Sequence, residues 1–223
     1  MPIKISDSLP ARAVLESENI FVMTEYRALH QDIRPLRVLI LNLMPTKIVT
    51  EIQLMRKLSN SPLQVDIELM YTSTYSSRHT SMEYLSSFYR TFADVRDQQY
   101  DGMIITGAPV ENYDFEDVNY WPELVEIMEW TKTHVFSTFH LCWGAYAGLY
   151  YHFGIQKHNF DKKVFGVFPH QVLDSTNPLF RGFDDQFMAP HSRNTEVLES
   201  DLRACDGLEL LAVSPQVGPF AAA

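Results

Sequence analysis

The sequence is poor in cysteine and has no long apolar segment. Cys142 and Cys205 are its two cysteines among 223 residues. Two distant cysteines in a domain of this size do not indicate a disulfide framework, which favours a reducing compartment. No apolar run approaches the roughly 18 residues of a membrane span, and the first residues lack the apolar core of a secretory signal. We therefore expect a cytoplasmic protein with no membrane-embedded part.

Positive charge and metal or nucleotide motifs are also scarce. The 18 Lys and Arg residues stand against 28 Asp and Glu, for a net charge of -10. This balance disfavours a general binder of nucleic acid or of anionic membranes. The eight histidines show no H-x-x-x-H spacing, and C-x-x-C, G-x-G-x-x-G and Walker motifs are missing. We expect no metal, no nucleic acid and no resident cofactor.

Apolar runs and helical patterns alternate along the chain. Near-continuous or alternating apolar runs predict strands, and apolar positions at helical spacing predict helices. Such alternation is typical of an α/β fold with a mainly parallel sheet. The predicted strands are 36–43, 63–71, 103–106 and 135–140, and the predicted helices are 11–18, 47–58, 82–95, 121–132 and 143–153. Beyond them we predict short strands at 164–168, 186–188 and 208–213, a polar turn at 189–195 and a helical turn at 200–205.

One strand–helix junction carries the strongest chemical signal. The segment 135–148 begins as an apolar run, reaches Cys142 and continues as a helix from Trp143. A thiol on such a turn faces the N–H groups of the first helical turn, which favour a thiolate and can hold an oxyanion. The alternative is a buried cysteine that acts as a small apolar residue. His140 and His191 are candidate bases, although packed structural histidines are the more common case.

Five sequence blocks resemble the homoserine O-succinyltransferase/O-acetyltransferase family of methionine biosynthesis. They are 19–24 (Asn-Ile-Phe-Val-Met-Thr), 41–47 (Leu-Asn-Leu-Met-Pro-Thr-Lys), 106–111 (Thr-Gly-Ala-Pro-Val-Glu), 142–144 (Cys-Trp-Gly) and 189–193 (Ala-Pro-His-Ser-Arg). The resemblance runs from residue 1 to about residue 213. It implies the fold of class I glutamine amidotransferases, a flavodoxin-like three-layer sandwich with a mainly parallel sheet and a cysteine nucleophile elbow. The domain prediction is an N-terminal arm over 1–35 and an amidotransferase-like α/β domain over 36–223.

The resemblance also implies a reaction and the residues that perform it. Cys142 matches the family's nucleophile, which takes an acyl group from acyl-CoA as a thioester and passes it to the hydroxyl of L-homoserine. Lys47 and Trp143 match the positions of the oxyanion hole. Lys163 and Ser192 match substrate-contacting positions. The acyl-CoA is a co-substrate and not a resident cofactor, and the family suggests a homodimer.

Glu111 matches the position that sorts acyl donors in this family. Members with glycine there tend to use succinyl-CoA, and members with glutamate tend to use acetyl-CoA. A carboxylate would repel the second carboxylate of a succinyl group, whereas an acetyl group carries neither the charge nor the bulk. The sequence thus favours homoserine O-acetyltransferase activity with acetyl-CoA.

The sequence departs from the family pattern after residue 213. The family's general base is a histidine with a glutamate two residues later in a Gly-His-x-Glu-Tyr segment, and this sequence has no histidine after His191. The general-base His and its Glu partner are therefore not present in this chain. We expect that the α/β domain lacks its C-terminal part because the sequence is incomplete; the other interpretation is a diverged protein without the base.

Four alternatives remain open at this point. Within the family they are homoserine O-succinyltransferase and serine O-acetyltransferase, since one methylene in the acceptor is worth only about 1–3 kcal/mol. A glutaminase or other cysteine hydrolase fits the cysteine turn, although the blocks around Lys47 and Ser192 argue against it. A pseudoenzyme that binds substrate without turnover is the fourth.

Overall fold

The computed structural model describes residues 3–18, 20, 22–28, 34–74 and 80–223. The chain divides into two compact units, which are described separately. The first unit comprises Met1–Val110 and Phe115–Ala145, and the second comprises Glu111–Asp114 and Tyr146–Ala223. Asn19 and Phe21 of the family-like block, and the end of the loop at 72–79, lie outside the described residues. Within the described ranges, no helix is long and apolar enough to cross a membrane.

A parallel sheet organises the first unit. Its strands are β1 (Ile3–Ile5), β2 (Val22–Thr24), β3 (Leu36–Leu41), β4 (Val65–Met70), β5 (Tyr89–Arg90), β6 (Gly102–Ile105) and β7 (Thr138–His140). Their order is β2-β1-β4-β3-β6-β7, with β5 beside β4, and every pair is parallel. The prediction of an α/β fold with a mainly parallel sheet is confirmed.

The central strand β3 explains why the apolar run at 36–43 is so continuous. It pairs with β4 on one side and β6 on the other, in a register that places Val38 beside Ile67 and Gly102. Leu39, Ile40 and Leu41 are completely or almost completely buried. A strand covered on both faces needs apolar residues at every position, which removes the alternation seen in half-exposed strands.

Helices connect these strands, and the five predicted helices begin at the predicted residues, whereas the short helices that begin at Glu25 and Phe92 were not predicted. The helices are α1 (Ala11–Ser17), α2 (Glu25–Ala28), α3 (Lys47–Leu58), α4 (Met82–Phe88), α5 (Phe92–Val95), α6 (Trp121–His134) and α7 (Trp143–Phe153). The residues of α7 up to Ala145 belong to the first unit and the rest to the second. The segment predicted as an arm contributes β1 and β2 to the sheet, and Ile3 and Ile5 are buried in its core.

The prediction of one continuous helix over 82–95 is wrong, because strand β5 divides this segment into two shorter helices. Tyr89 of β5 pairs with Leu69 of β4 and is buried. A new helix, α5, then begins after Thr91, whose side chain and backbone N–H both bond to the Asp94 carboxylate. This capping box starts a separate helix, and the apolar spacing alone could not reveal the break.

The second unit is built on an antiparallel sheet. Its strands are β8 (His158–Val172), β9 (Gln186–Glu196), β10 (Leu210–Ser214) and β11 (Gly218–Ala222), in the order β11-β10-β8-β9, and a short helix α8 (Glu199–Ala204) follows β9. The predicted turn at 189–195 is wrong, since these residues continue β9. Their backbone pairs with β8, for example Ala189 with Phe168 and Ser192 with Phe165, so long-range pairing overrides the local turn propensity of the residues.

Candidate active site

Cys142 lies on a strained turn between a strand and a helix. Strand β7 ends at His140, and α7 begins at Trp143. Cys142 has a φ of 54° and is the only non-glycine residue in the described ranges with a positive φ. The residue is also exposed to solvent. A left-handed backbone costs an ordinary residue about 1–2 kcal/mol. Such strain at an exposed thiol is characteristic of a nucleophile elbow.

Two glycines allow this turn to pack closely against the end of β6. A Cβ added to Gly107 would stand 3.0 Å from the Cβ of Cys142. A Cβ added to Gly144 would stand only 2.6 Å from the carbonyl oxygen of Thr106. The Leu141 N–H also donates to the carbonyl of Ile105 over 2.9 Å. The turn that carries the thiol is thus fixed against the strand beside it.

Backbone donors surround the start of α7. The Gly144 and Ala145 N–H groups close the turn by donating to the carbonyls of Leu141 and Cys142, each over 2.9 Å. Trp143 occupies the first helical position, where an N–H has no acceptor inside the helix. The Trp143 indole is buried against Phe115, with ring centroids 5.9 Å apart. The Trp143 group suited to an oxyanion is therefore its backbone N–H.

Lys47 begins α3, and its ammonium is buried. The amine Nζ donates to the carbonyl oxygen of Asn42 over 2.6 Å and lies 3.4 Å from that of Met44. Burial lowers the pKa of Lys47 to about 8, and nearby Glu51 partly offsets this effect. The ammonium thus braces the loop after β3, while the backbone N–H lies at the first position of a helix.

A buried polar network supports Lys47. Glu51 is fully buried, and its carboxylate accepts hydrogen bonds from the hydroxyls of Tyr84 and Tyr89. Burial raises the pKa of Glu51, whereas these hydrogen bonds and the positive charge of Lys47 lower it. Asn42 joins the network by donating from Nδ2 to the Tyr89 hydroxyl over 2.9 Å. The sequence gives no local signal for this network, because its members come from three separate segments.

Thr106 links the loop after β3 to the end of β6. The Leu43 N–H donates to the Thr106 hydroxyl over 2.8 Å, and the Thr106 N–H donates to the carbonyl of Leu41 over 3.1 Å. Gly144 lies against Thr106 from the other side. Lys47, Cys142 and Trp143 are therefore held at the same edge of the parallel sheet, where such folds bind ligands.

The two candidate base histidines are both engaged in local contacts. His140 Nδ1 lies 3.1 Å from the carbonyl oxygen of Gly144, which ties its ring to the first turn of α7. In the second unit, His191 Nε2 lies 2.9 Å from His170 Nε2. Burial, Arg193 and His170 together lower the pKa of His191 to about 4. A base with that pKa is weak at neutral pH.

The second unit holds the other predicted site residues. Ser192 is exposed on β9. Lys163 is exposed in an irregular segment of β8, where the four residues 160–163 stand opposite a single residue of β9, Asn194. Asn194 donates from Nδ2 to Glu111 Oε1 over 2.9 Å. Asn194 was not predicted as a site residue, because its partner lies 83 positions away in the sequence.

The described part of the chain contains no group of three or more His, Cys, Asp or Glu side chains placed to hold a metal ion. The chemistry on offer in the first unit is instead that of a thiol nucleophile beside backbone N–H donors. Such a constellation suits acyl transfer through a covalent intermediate.

Solved structures share this fold at low sequence identity. A glutamine amidotransferase from Thermotoga maritima aligns with a TM-score of 0.58 and 11% identity, over 86% of this chain and 72% of that one. The glutaminase domain of a Trypanosoma brucei CTPS aligns with a TM-score of 0.51 and 10% identity, over 81% and 75% of the two chains. These similarities confirm the predicted amidotransferase-like fold.

Sequence comparison is more specific. The family model of homoserine O-succinyltransferase matches residues 2–223. A homoserine O-acetyltransferase from Acetivibrio thermocellus is 56% identical over 220 residues, which cover 99% of this chain and 72% of that protein. One from Methanomassiliicoccus intestinalis is 58% identical over 219 residues, covering 98% and 71%. This chain therefore belongs to the homoserine O-succinyltransferase family of acyltransferases.

Proposed function

We propose that this chain transfers an acetyl group from acetyl-CoA to the hydroxyl of L-homoserine through a thioester on Cys142. Both substrates are small molecules, in keeping with the family. The observation that carries the proposal is the strained, exposed turn at Cys142, packed against Gly107 and opening onto the start of α7. Relatives named homoserine O-acetyltransferase at 56–58% identity support the choice of donor and acceptor.

In the first step, the Cys142 thiolate attacks the acetyl carbonyl of acetyl-CoA. A new carbon–sulfur bond forms, the carbonyl oxygen becomes an oxyanion, and the bond to the CoA sulfur then breaks so that CoA leaves as a thiolate that takes up a proton. The backbone N–H groups of Trp143 and Lys47 are suited to hold the oxyanion, since both occupy first helical positions. The Lys47 ammonium donates to the carbonyl oxygens of Asn42 and Met44 and so fixes the preceding loop.

In the second step, the homoserine hydroxyl attacks the thioester. The oxygen–carbon bond forms as the carbon–sulfur bond breaks, which regenerates the Cys142 thiolate and releases O-acetylhomoserine. The hydroxyl proton is released to solvent, which balances the proton that the CoA thiolate takes up in the first step. We assign neither His140 nor His191 as general base, because a strand histidine and a cysteine two residues later rarely meet in a suitable geometry and the pKa of His191 is about 4. Lys163 and Ser192 are the proposed contacts to substrate.

Glu111 is the proposed determinant of donor choice. Its carboxylate would repel the free carboxylate of a succinyl group and would tolerate a neutral acetyl group. We further propose that the protein acts in the cytoplasm and that it forms a homodimer. The proposed role of Glu111 is tested by the ratio of the acylation rates of Cys142 with acetyl-CoA and with succinyl-CoA.

The test follows the thioester directly. The protein is incubated with acetyl-CoA or succinyl-CoA, and its intact mass is measured together with the release of free CoA. We expect one acetyl group per chain, a slower reaction with succinyl-CoA, and transfer to L-homoserine in preference to serine. Cys142→Ala should abolish the adduct, and Cys205→Ala, which removes the other thiol, should retain it. An adduct that persists in Cys142→Ala would refute the assignment of the nucleophile.

A further inference from the structure

We propose that Asn194 is a positioning residue for acyl-donor selection, because it holds the carboxylate of Glu111 in one orientation. The inference rests on the proposed role of Glu111 and deepens it. The contact is a direct hydrogen bond within the second unit, from Asn194 Nδ2 to Glu111 Oε1 over 2.9 Å. Since a carboxylate can only accept, the side-chain amide of Asn194 must be the donor.

The bond matters because Glu111 lies on a turn and has a flexible side chain. Glu111 is half-buried, and a glutamate side chain has three torsions that each allow more than one rotamer. A carboxylate that swings away from an incoming acyl group repels it weakly, since electrostatic repulsion falls with distance. Fixing one carboxylate oxygen keeps the negative charge where it discriminates between donors.

The chemical type of the partner is equally important. An arginine or lysine at position 194 would hold Glu111 more strongly but would also cancel its charge. The amide of Asn194 is neutral, so it orients the carboxylate while leaving the negative charge intact. A residue that selects against a second carboxylate needs this combination of fixed geometry and uncancelled charge.

The backbone that presents Asn194 is itself held on both sides. Arg193 donates from Nη1 to the Tyr146 hydroxyl over 2.8 Å and from Nη2 to the carbonyl of Val217. The Tyr146 hydroxyl in turn donates to the carbonyl of Thr195 over 3.1 Å, and Thr195 is fully buried. The amide of Asn194 is therefore displayed from a stretch of β9 in which both neighbouring residues are hydrogen-bonded.

The position of Asn194 also connects donor selection with the substrate-contacting residues. Asn194 follows Ser192 by two positions on β9. Across the sheet, the irregular segment 160–163, which includes Lys163, stands opposite Asn194. A single short stretch of sheet thus carries the two proposed substrate contacts and the group that orients Glu111.

Two substitutions of Asn194 test this role. Asn194→Ala removes the donor, and Asn194→Leu keeps a similar size but has no group that can donate to Glu111. The affinities of acetyl-CoA and succinyl-CoA are measured by calorimetry in a Cys142→Ala background, where acylation cannot intervene, and the acylation rates are measured with Cys142 present. We expect both variants to reduce the preference for acetyl-CoA about tenfold, the size of one hydrogen bond to a charged group.

The matched control is Gln186→Ala, which removes an exposed amide from the start of the same strand and should leave the preference unchanged. A Glu111→Gly background supplies the decisive comparison, since a residue that acts through Glu111 has nothing left to position there. In that background Asn194→Ala should produce no further change in the donor ratio, and thermal unfolding checks that each variant is folded.

The outcomes separate the two proposals. The inference is overturned if Asn194→Ala weakens the binding of acetyl-CoA and succinyl-CoA equally. It is also overturned if Asn194→Ala changes the donor ratio as much in the Glu111→Gly background as in the presence of Glu111. In either case Asn194 has a merely structural role. If both CoA esters bind but neither acylates Cys142, the proposed transfer fails, while the ratio of binding constants still decides the role of Asn194. If neither ester binds, both proposals are refuted.

Discussion

Gly107 and Cys142 are in direct contact across the carboxyl edge of the parallel sheet. A Cβ added to Gly107 would lie 3.0 Å from the Cβ of Cys142 and 3.4 Å from its Sγ. The first distance is tighter than about nine in ten contacts that real Cβ atoms make, and the second is at the limit of ordinary van der Waals contact. The position of the thiol therefore depends on the absence of a side chain at residue 107.

Gly107→Ala should slow the reactions of Cys142. The added methyl group forces the thiol or the β6 loop to shift by a few tenths of an ångström, and nucleophilic attack is sensitive to displacements on that scale. We expect a loss of about tenfold or more in the rate of alkylation by iodoacetamide, measured in a Cys205→Ala background so that one thiol remains. Gly102→Ala is the matched control, because its Cβ would meet Val38 and Ser137 at 3.7 and 3.8 Å. Equal rates in the two variants would show that Gly107 does not shape the thiol environment.

Gly144→Ala should destabilise the fold itself. Its Cβ would stand 2.6 Å from the Thr106 carbonyl oxygen and 2.9 Å from that of Ile105, so the start of α7 must move away from β6. Overpacking of this kind costs about 1–3 kcal/mol, sometimes more. We expect a loss at the upper end of that range in urea unfolding.

The control for Gly144 is Gly154→Ala at the end of the same helix. Gly154 has a φ of 71° and open space around it, so only its left-handed backbone is penalised, at about 1 kcal/mol. If Gly144→Ala were no more destabilising than Gly154→Ala, this result would contradict the claim that α7 packs too closely against β6 to accept a Cβ at residue 144.

Much of the fold follows from local patterns. Helix α3 has the bounds predicted from its apolar spacing, 47–58, and β3 lies within the apolar run at 36–43. These elements are predictable because burial on one helix face, or on both strand faces, imposes a regular pattern on the sequence. The strand–helix junction at Cys142 was visible for the same reason.

The failures share a different cause. The break at Tyr89 depends on pairing with Leu69, and the long strand β9 depends on pairing with β8. The contacts Gly107–Cys142 and Asn194–Glu111 likewise join residues far apart in the chain. No local pattern encodes such partners, so the turn at 189–195 was a natural misreading of the residues, and the contact of Glu111 with Asn194 could not be predicted.

Lys47 should make the protein more stable as the pH rises from 8 to 10. Burial lowers its pKa in the folded protein to about 8, from the ordinary lysine value of 10.5. Between these values the unfolded chain binds more protons, so stability increases with pH. The expected gain is about 2 kcal/mol, measured by urea unfolding at pH 8, 9 and 10. Above pH 10 the tyrosines oppose this effect. Burial raises the pKa of Tyr84 and Tyr89, so these hydroxyls lose their protons more readily in the unfolded chain, and stability falls as the pH rises.

Lys47→Met isolates this contribution. The thioether fills a similar volume but does not titrate, so the slope between pH 8 and 10 should flatten. Lys57→Met, an exposed position on the same helix, is the matched control and should retain the slope. A slope that survives in Lys47→Met would mean that another group is responsible.

The pair formed by His170 and His191 has a defined protonation pattern. His170 Nδ1 lies 3.0 Å from the carbonyl oxygen of Phe168, which can only accept, so Nδ1 carries the proton. The Nε2 of neutral His170 is then the acceptor for His191 Nε2, 2.9 Å away. We expect His170 as the Nδ1–H tautomer and His191 as the Nε2–H tautomer at pH 7, which nitrogen-15 NMR of the imidazole rings distinguishes.

This pair should make the protein less stable in mild acid. Burial lowers the pKa of His170, and burial, Arg193 and His170 lower that of His191 to about 4. Because the unfolded chain takes up protons below about pH 6.5 and the folded pair resists them, stability falls as the pH drops from 6.5 towards 4. His191→Gln keeps a donor to His170 without an ionisable ring, and it should reduce the stability lost between pH 6.5 and 4.5 by on the order of 1 kcal/mol after solvent screening. An acid slope identical to that of the unsubstituted protein would show that the pair titrates alike in the folded and unfolded states, which its buried, mutually bonded geometry argues against.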